Sequence, residues 1–416
     1  MILTRKPVIF KGMNYIMSSS INFNIKIELT LLAIVFLLVF IFLTPGQVNA
    51  LQVETEPDLV INYRVASSLE NNWLGINEIK ELDLTDDSVI PVPDLEQIPL
   101  LDKDLFYKQA NVYYTEFRFK NWKFNFFNQS RTNIVGSTDL IKLIKHVKNN
   151  TGGNNNLAIG YARNEIEYVG QGVNYSQDIK LKNNKQVKLG ITIKNLEGIE
   201  YYKENFSGKA LPKSDESKGT NNYVYNLYGE AEIYKQTKHT TSSGYGLDCK
   251  TKFIINPNLY LQLEMNNLAS EINWSNLEHQ IGQISTNNIT RNAEGNINYN
   301  ATMKGREEII NLEQNLPQEA NLSLYFQHKG ITLYPQIQWA EWEKNNRDNN
   351  DYLTSSLKII YSVSKANRYY LQGFGHNNHL TLGMIYKNFT LDVNSDHYQL
   401  RKMKSLGITI GINVQF

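Results

Sequence analysis

Residues 405–416, SLGITIGINVQF, constrain this chain more than any other stretch. Leu406, Ile408, Ile410, Ile412, Val414 and Phe416 take every second position, and Ser405, Gly407, Thr409, Gly411, Asn413 and Gln415 take the others. Side chains along a strand point alternately to opposite faces, so one face here is apolar and the other small or polar. The pattern recurs upstream. Leu259, Leu261, Leu263 and Met265 oppose Tyr260, Gln262, Glu264 and Asn266, and Phe389, Leu391 and Val393 oppose Thr390, Asp392 and Asn394. From residue 157 onward strand and turn signals alternate almost without interruption, which is how a membrane-spanning barrel reads. The expected fold is all-β: a transmembrane antiparallel β-barrel of about 14 strands with an N-terminal extension and one short helix. The helix covers residues 139–148, where Leu140, Leu143, Ile144 and Val147 fall at helical spacing. It is assigned to the periplasmic face or to the lumen.

Composition narrows the class further. A net charge of +1 with no Lys/Arg-rich run gives no support to a nucleic-acid partner. A mean hydropathy of −0.41 argues against a bundle of membrane helices but not against a barrel, where only alternate residues meet lipid. The 25 tyrosines suit the two membrane interfaces, although general β-propensity explains them as well. The only long apolar run, residues 30–43, is short for a membrane span and suits the core of a signal peptide. Pro45 and Gly46 break it, and Val48, Asn49 and Ala50 form a small-residue cleavage site. Residues 1–50 are therefore read as an export signal, with an uncleaved anchor as the rival. Residues 51–105 carry thirteen acidic side chains against Arg64, Lys80 and Lys103. They read as an acidic periplasmic or plug-like extension, leaving 106–416 as the barrel, with strands beginning near Asn111. Residues 207–221 become a long periplasmic connection unless one strand is miscounted or 191–206 form a single kinked strand.

Charges at mid-depth are costly on a lipid-facing surface, so those that fall on strands are placed inside. Lys188, Glu230, Glu232, Lys250, Lys252, Glu264, Lys358, Asp392 and Asp396 form this expected lining. Their signs are mixed, and pairing across the lumen is the expected outcome. His376 and His379 have a spacing that could bind a metal, with His397 as a third ligand, but they straddle a turn rich in Gly and Asn. No metal site and no cofactor are expected. His328 and His397 lie on strands without a nucleophile motif, and Cys249 has no cysteine to pair with.

Two resemblances extend this reading. Thr409, Gly411, Val414 and Phe416 resemble the C-terminal signal of bacterial outer-membrane barrels. That implies an outer-membrane location, contact with its lipid, and recognition by the barrel-assembly machinery. Residues 243–274 resemble a segment of the FadL-like outer-membrane superfamily, which includes fatty-acid transporters and PorV- and TraF-like barrels. Ser243, Gly244, Tyr245, Gly246, Leu247 and Asp248 match its opening, and Asn267 and Leu268 its close; Cys249 and Lys250 depart from it. The resemblance implies a plugged barrel that passes hydrophobic or amphipathic small molecules without being an enzyme. It equally admits a PorV-like barrel that anchors or assists a protein complex. An outer-membrane hydrolase is the third class considered.

Overall fold

The computed structural model describes residues 59–71, 105–149, 155–181, 185–214, 223–291, 297–340, 352–364, 367–374, 379–397 and 403–415. The export signal at 1–50, most of 51–105, His376 and Phe416 lie outside these residues. β1 (Leu59–Asn71), β2 (Leu105–Phe119) and β3 (Trp122–Gly136) precede the helix α1 (Thr138–Asn149). β4 (Leu157–Lys180), β5 (Gln186–Ser214), β6 (Tyr223–Lys235), β7 (Thr241–Asn256) and β8 (Leu259–Asn266) follow. Next come β9 (Glu271–Arg291), β10 (Ile297–Asn315), β11 (Glu319–His328) and β12 (Ile331–Ala340). β13 (Tyr352–Ser362), β14 (Asn367–Phe374), β15 (Leu380–Tyr386), β16 (Phe389–Ser395) and β17 (Ser405–Gln415) complete the order.

Pairing is antiparallel throughout and closes on itself. The circuit runs β1, β2, β3, β4, β5, β7, β8 and β11. It continues from β11 through β12 to β17 in order, and β17 returns to β1. β6, β9 and β10 rise above this ring: β6 pairs with the upper part of β5, β9 with β6 and the start of β7, and β10 with β9. The segments number seventeen where about fourteen strands were expected. The difference arises because three passes are each divided in two at one level. β6 continues as β7, β8 as β9 and β10 as β11, each pair following the same neighbours.

Alternation tells the two faces apart. Ile193 is 67% exposed whereas its neighbour Thr192 is 8% exposed, and Ile408, Ile410, Ile412, Leu380 and Leu382 are likewise exposed. These residues make an apolar outer belt on the lower part of the wall, the part that a bilayer would cover. The lower end carries tight turns at 120–121, 257–258, 329–330 and 387–388, and both ends of the described wall, Leu59 and Gln415, lie there. The longer connections, α1 among them, are at the opposite end.

Two expectations are corrected here, and one question left open is decided. Residues 59–71, assigned to an acidic extension, are instead wall strand β1, paired along its length with both β2 and β17. The barrel therefore begins at Leu59 and not at 106. The kinked-strand alternative is the one that holds: β5 is continuous across residues 191–206, so 207–221 do not connect strands at the lower end. Its kink is a bulge, because Glu167 faces Glu200 while Tyr168 faces Gly198, leaving Ile199 extra. Gly198 is required there, since a Cβ would lie 2.1 Å from the Trp274 ring. Finally, α1 is neither luminal nor at the lower end. Its Leu140 and Leu143 pack on Leu157, Ile159, Ala210, Tyr225 and Leu227. Leu157 and Ile159 share the face of β4 that carries exposed Val173 and Tyr175 lower down, so the helix covers the outer side of the upper wall. Ser137 caps it by accepting from the Leu140 amide at 3.3 Å, and His146 Nδ1 lies 2.6 Å from the Tyr225 hydroxyl.

Deleting residues 59–71 is expected to abolish the compact band that a folded barrel shows in unheated gel electrophoresis, because it leaves two edges unpaired. A surviving band would restore the extension reading.

Candidate functional site

The inner faces of β2, β3, β4, β5, β7 and β8 surround a cavity of about 970 Å³ in the lower lumen. Among the described residues, nine Lys or Arg and five Asp or Glu side chains line it, with Asn125, Asn174, Ser176 and Thr192 between them. Each carboxylate has a cation. Lys123 meets Glu116 at 3.4 Å, Arg131 meets Glu319 at 2.9 Å, Lys188 meets Asp178 at 3.8 Å, Lys194 meets Asp248 at 2.6 Å, and Lys250 contacts Glu264. Glu116 also accepts from the Asn62 amide at 3.0 Å and the Tyr114 hydroxyl at 3.0 Å. Desolvated charges need such partners; four of the pairs tie neighbouring strands, and Arg131 with Glu319 reaches from β3 to β11.

A layer of apolar side chains lies above. Ile166, Tyr168, Leu196, Tyr201, Ile272, Trp274, Leu277 and Leu316 are buried against one another, with the Tyr201 and Trp274 rings 5.3 Å apart. It sits where the three passes divide. Asn267, in the left-handed region at φ 56°, turns the chain between β8 and β9. Its amide donates to Asp248 Oδ1 at 2.9 Å, its side chain donates to the Pro317 carbonyl at 3.0 Å, and Lys194 Nζ donates to its Oδ1 at 2.9 Å. Lys194 and Asp248 thus fix the floor of this layer to the roof of the cavity. The matched residues of the 243–274 segment, Asp248 and Asn267 above all, serve this junction.

The expected lining residues divide into groups. Lys188, Lys250, Lys252 and Glu264 do line the cavity. Lys252 also lies over the Tyr260 ring, 3.7 Å from its centre. Lys358 and Asp392 project inward elsewhere on the wall, Lys358 over the Tyr370 ring at 3.3 Å. Glu232 lies in the upper sheet, where His279 Nε2 at 3.2 Å and the Tyr234 hydroxyl at 2.7 Å meet it, and Glu230 is on the same strand; neither lines the cavity. Asp396 is beyond the end of β16 and accepts from the backbone amides of Lys404 and Ser405, so its role is to shape the last hairpin. Of the C-terminal signal, Thr409 and Gly411 face inward opposite Asp392 and Thr390, and Val414 pairs with Ile61 on the outer face. Sequence reasoning missed Arg64, Glu116, Arg118, Lys123, Arg131, Lys194 and Asp248. Their alternation with Tyr63, Phe117 and Ile193 carried the signal.

Among the described residues no group of three His, Cys, Asp or Glu could hold a metal ion. The His279 ring lies between Glu308 at 3.1 Å and Glu232 at 3.2 Å, and His146 meets Tyr225; no serine or cysteine is in either pair. The most perturbed carboxyl outside the apolar belt is Glu204, on the upper part of β5. Burial raises it to about 7, against the opposing effect of the Tyr202 and Tyr161 hydroxyls, each donating at 2.9 Å, and of Arg163.

No family model and no curated protein matches the chain. Solved structures to which it is similar include a toluene transporter of Ralstonia pickettii, TbuX, at 9% identity and a TM-score of 0.45, over 88% of this chain and 90% of that one. The TodX monoaromatic hydrocarbon channel deltaS2 mutant matches at 11% identity and 0.43, over 87% and 91%. A Pseudomonas aeruginosa FadL homologue matches at 10% and 0.39, over 86% and 89%. FadL-type channels are thus among the solved structures this chain is similar to. The closed barrel itself rests on the strand pairings.

This geometry generates two predictions for stability. Lys194→Met leaves Asp248 without its cation where the two side chains are only 10% and 22% exposed, and should lower unfolding stability by about 3 kcal/mol. Lys188→Met, at a longer and more exposed pair, should change it by less than about 1 kcal/mol in the same urea titration. Glu204 behaves in the opposite sense with pH. Its folded pKa is raised from 4.5 to about 7, so the protonated form is favoured on folding. Its contribution is complete below the unfolded value and is lost as pH rises through about 7. Glu204→Gln should therefore stabilise the barrel at pH 8, by up to about 3 kcal/mol, and leave it unchanged at pH 4.

Proposed function

We propose that the protein is an outer-membrane barrel that passes small amphipathic molecules across the membrane without a cofactor. The observation that carries this is the luminal cavity of about 970 Å³, large enough for a small organic molecule and open among side chains rather than filled by them. The outer apolar belt and the tight lower turns support the membrane setting, with the lower end in the periplasm. A purely hydrophobic solute would call for an apolar pocket. The apolar side chains instead form a packed layer above a charged cavity, so a solute with both a polar and an apolar part suits the lumen best. The buried layer around Trp274 stands as the barrier that such a solute has to displace.

The test is solute-driven swelling of liposomes that hold the refolded chain, compared with a variant carrying Tyr201→Ala and Trp274→Ala. Both should admit small amphipathic solutes, the variant several times faster, because the barrier has lost its two packed rings. No swelling with either, when gel mobility shows both folded, would defeat the transport reading and favour a barrel that anchors or assists a protein complex.

A further inference from the structure

Among the described residues, the charged side chains that line the cavity are more often cations than carboxylates. Nine cations line it against five Asp and Glu residues, each of which is already held by a lysine or arginine. Two of the cations outside those five pairs are arginines on adjoining strands. Arg118 of β2 and Arg64 of β1 face inward on either side of Glu116, and Arg64 sits opposite Tyr114. Neither forms an ion pair among the described residues. Glu116 is already engaged by Lys123, Asn62 and Tyr114. Arg118 Nε is buried without a hydrogen-bond partner. Asp392, Lys358 and Arg368, from β16, β13 and β14, are the charged groups facing Arg64 across the wall, and Asp392 is shared between Lys358 and Arg64. Beside Arg64 the strand partner is Gly411, which leaves room at the guanidinium where a larger residue would fill it. A guanidinium with an unused donor in a partly desolvated site is a strong partner for a planar carboxylate, because two parallel N–H groups match its two oxygens.

We infer that the cavity is a binding site for small organic anions, held by a carboxylate at Arg118 with Arg64 adding to the local field. The inference rests on the transport reading only for passage after binding; the site itself stands on Arg118 and Arg64, which line the cavity without an ion pair among the described residues. The remaining aliphatic or aromatic part of the ligand lies toward Phe127 and Tyr168, which line the same cavity where it meets the apolar layer.

Calorimetric titration of the refolded full chain in detergent compares benzoate with benzamide, its neutral counterpart of the same shape. Benzoate should bind on the order of tenfold more tightly, and the margin should shrink as salt rises. Arg118→Gln combined with Arg64→Gln should remove the margin. Lys304→Gln, in the upper sheet away from the cavity, should keep it. Equal binding of the two probes by the unaltered chain overturns the site, whatever the variants do. A margin retained by a folded double variant overturns the assignment to these two arginines. Liposome swelling separates the two readings. Preferential benzoate binding without passage of any solute refutes transport and keeps the anion site, and passage without preference does the reverse.

Discussion

Lipid offers no partner for a peptide group, so each backbone N–H and C=O inside the membrane needs another strand. For this chain that requirement is met by one ladder above all others. β1 and β17, the first and last described strands, pair from Val60 with Gln415 through to Glu70 with Ser405 and convert a curled sheet into a wall without edges. Once the wall is closed, alternation leaves no choice about the side chains. Ile408, Ile410 and Ile412 turn out, and Thr409, Gly411 and Asn413 turn in, where they meet Asp392 and Asn62. The charges inside are a consequence of closure. They are then organised by the cost of leaving any of them alone.

The second organising feature is the level at which three passes divide. There the sheet changes from a ring into a taller wall of β5, β6, β9 and β10, and the bulge at Ile199 reverses the alternation of β5 as it climbs. The hydrogen bonds that the divided strands lose are recovered locally. The Leu268 amide donates to the Leu247 carbonyl, and the Leu316 amide to the Ser270 carbonyl, both at 2.9 Å. Lys194, Asp248 and Asn267 complete the seam. A small polar network therefore stands directly under the apolar layer, and the boundary between charged cavity and packed side chains is sharp.

Much of this was legible in the chain itself. The strands β8, β16 and β17 showed unbroken alternation, and α1 showed helical spacing, because in each the local pattern and the final environment agree. β1 was hidden by its neighbours: Ile61, Tyr63 and Val65 alternate with Asn62 and Arg64, but acidic residues on both sides made the whole region look like a solvated spacer. β5 looked like two strands because a bulge shifts the phase of its pattern. Glu232 and Asp396 were misplaced for different reasons, one because its strand continues above the membrane, the other because its carboxylate serves backbone amides. The surplus of cations could not be read at all, since it appears only after each carboxylate has been matched with a partner from another strand.

The closing ladder also has a consequence in time. The side-chain amide of Asn71 donates to the carbonyl of Lys404, a contact spanning 333 positions. A chain that leaves the cell interior from its N-terminus delivers β1 first and its partner last. Through the whole of export β1 has one neighbour at most, and its other edge is open to any strand it meets. Loop closure over such a length is slow as well as entropically costly. The polar Arg64, Ser67 and Ser68 in the middle of β1 then acquire a second meaning: they keep an early, unfinished edge soluble until the final strand arrives.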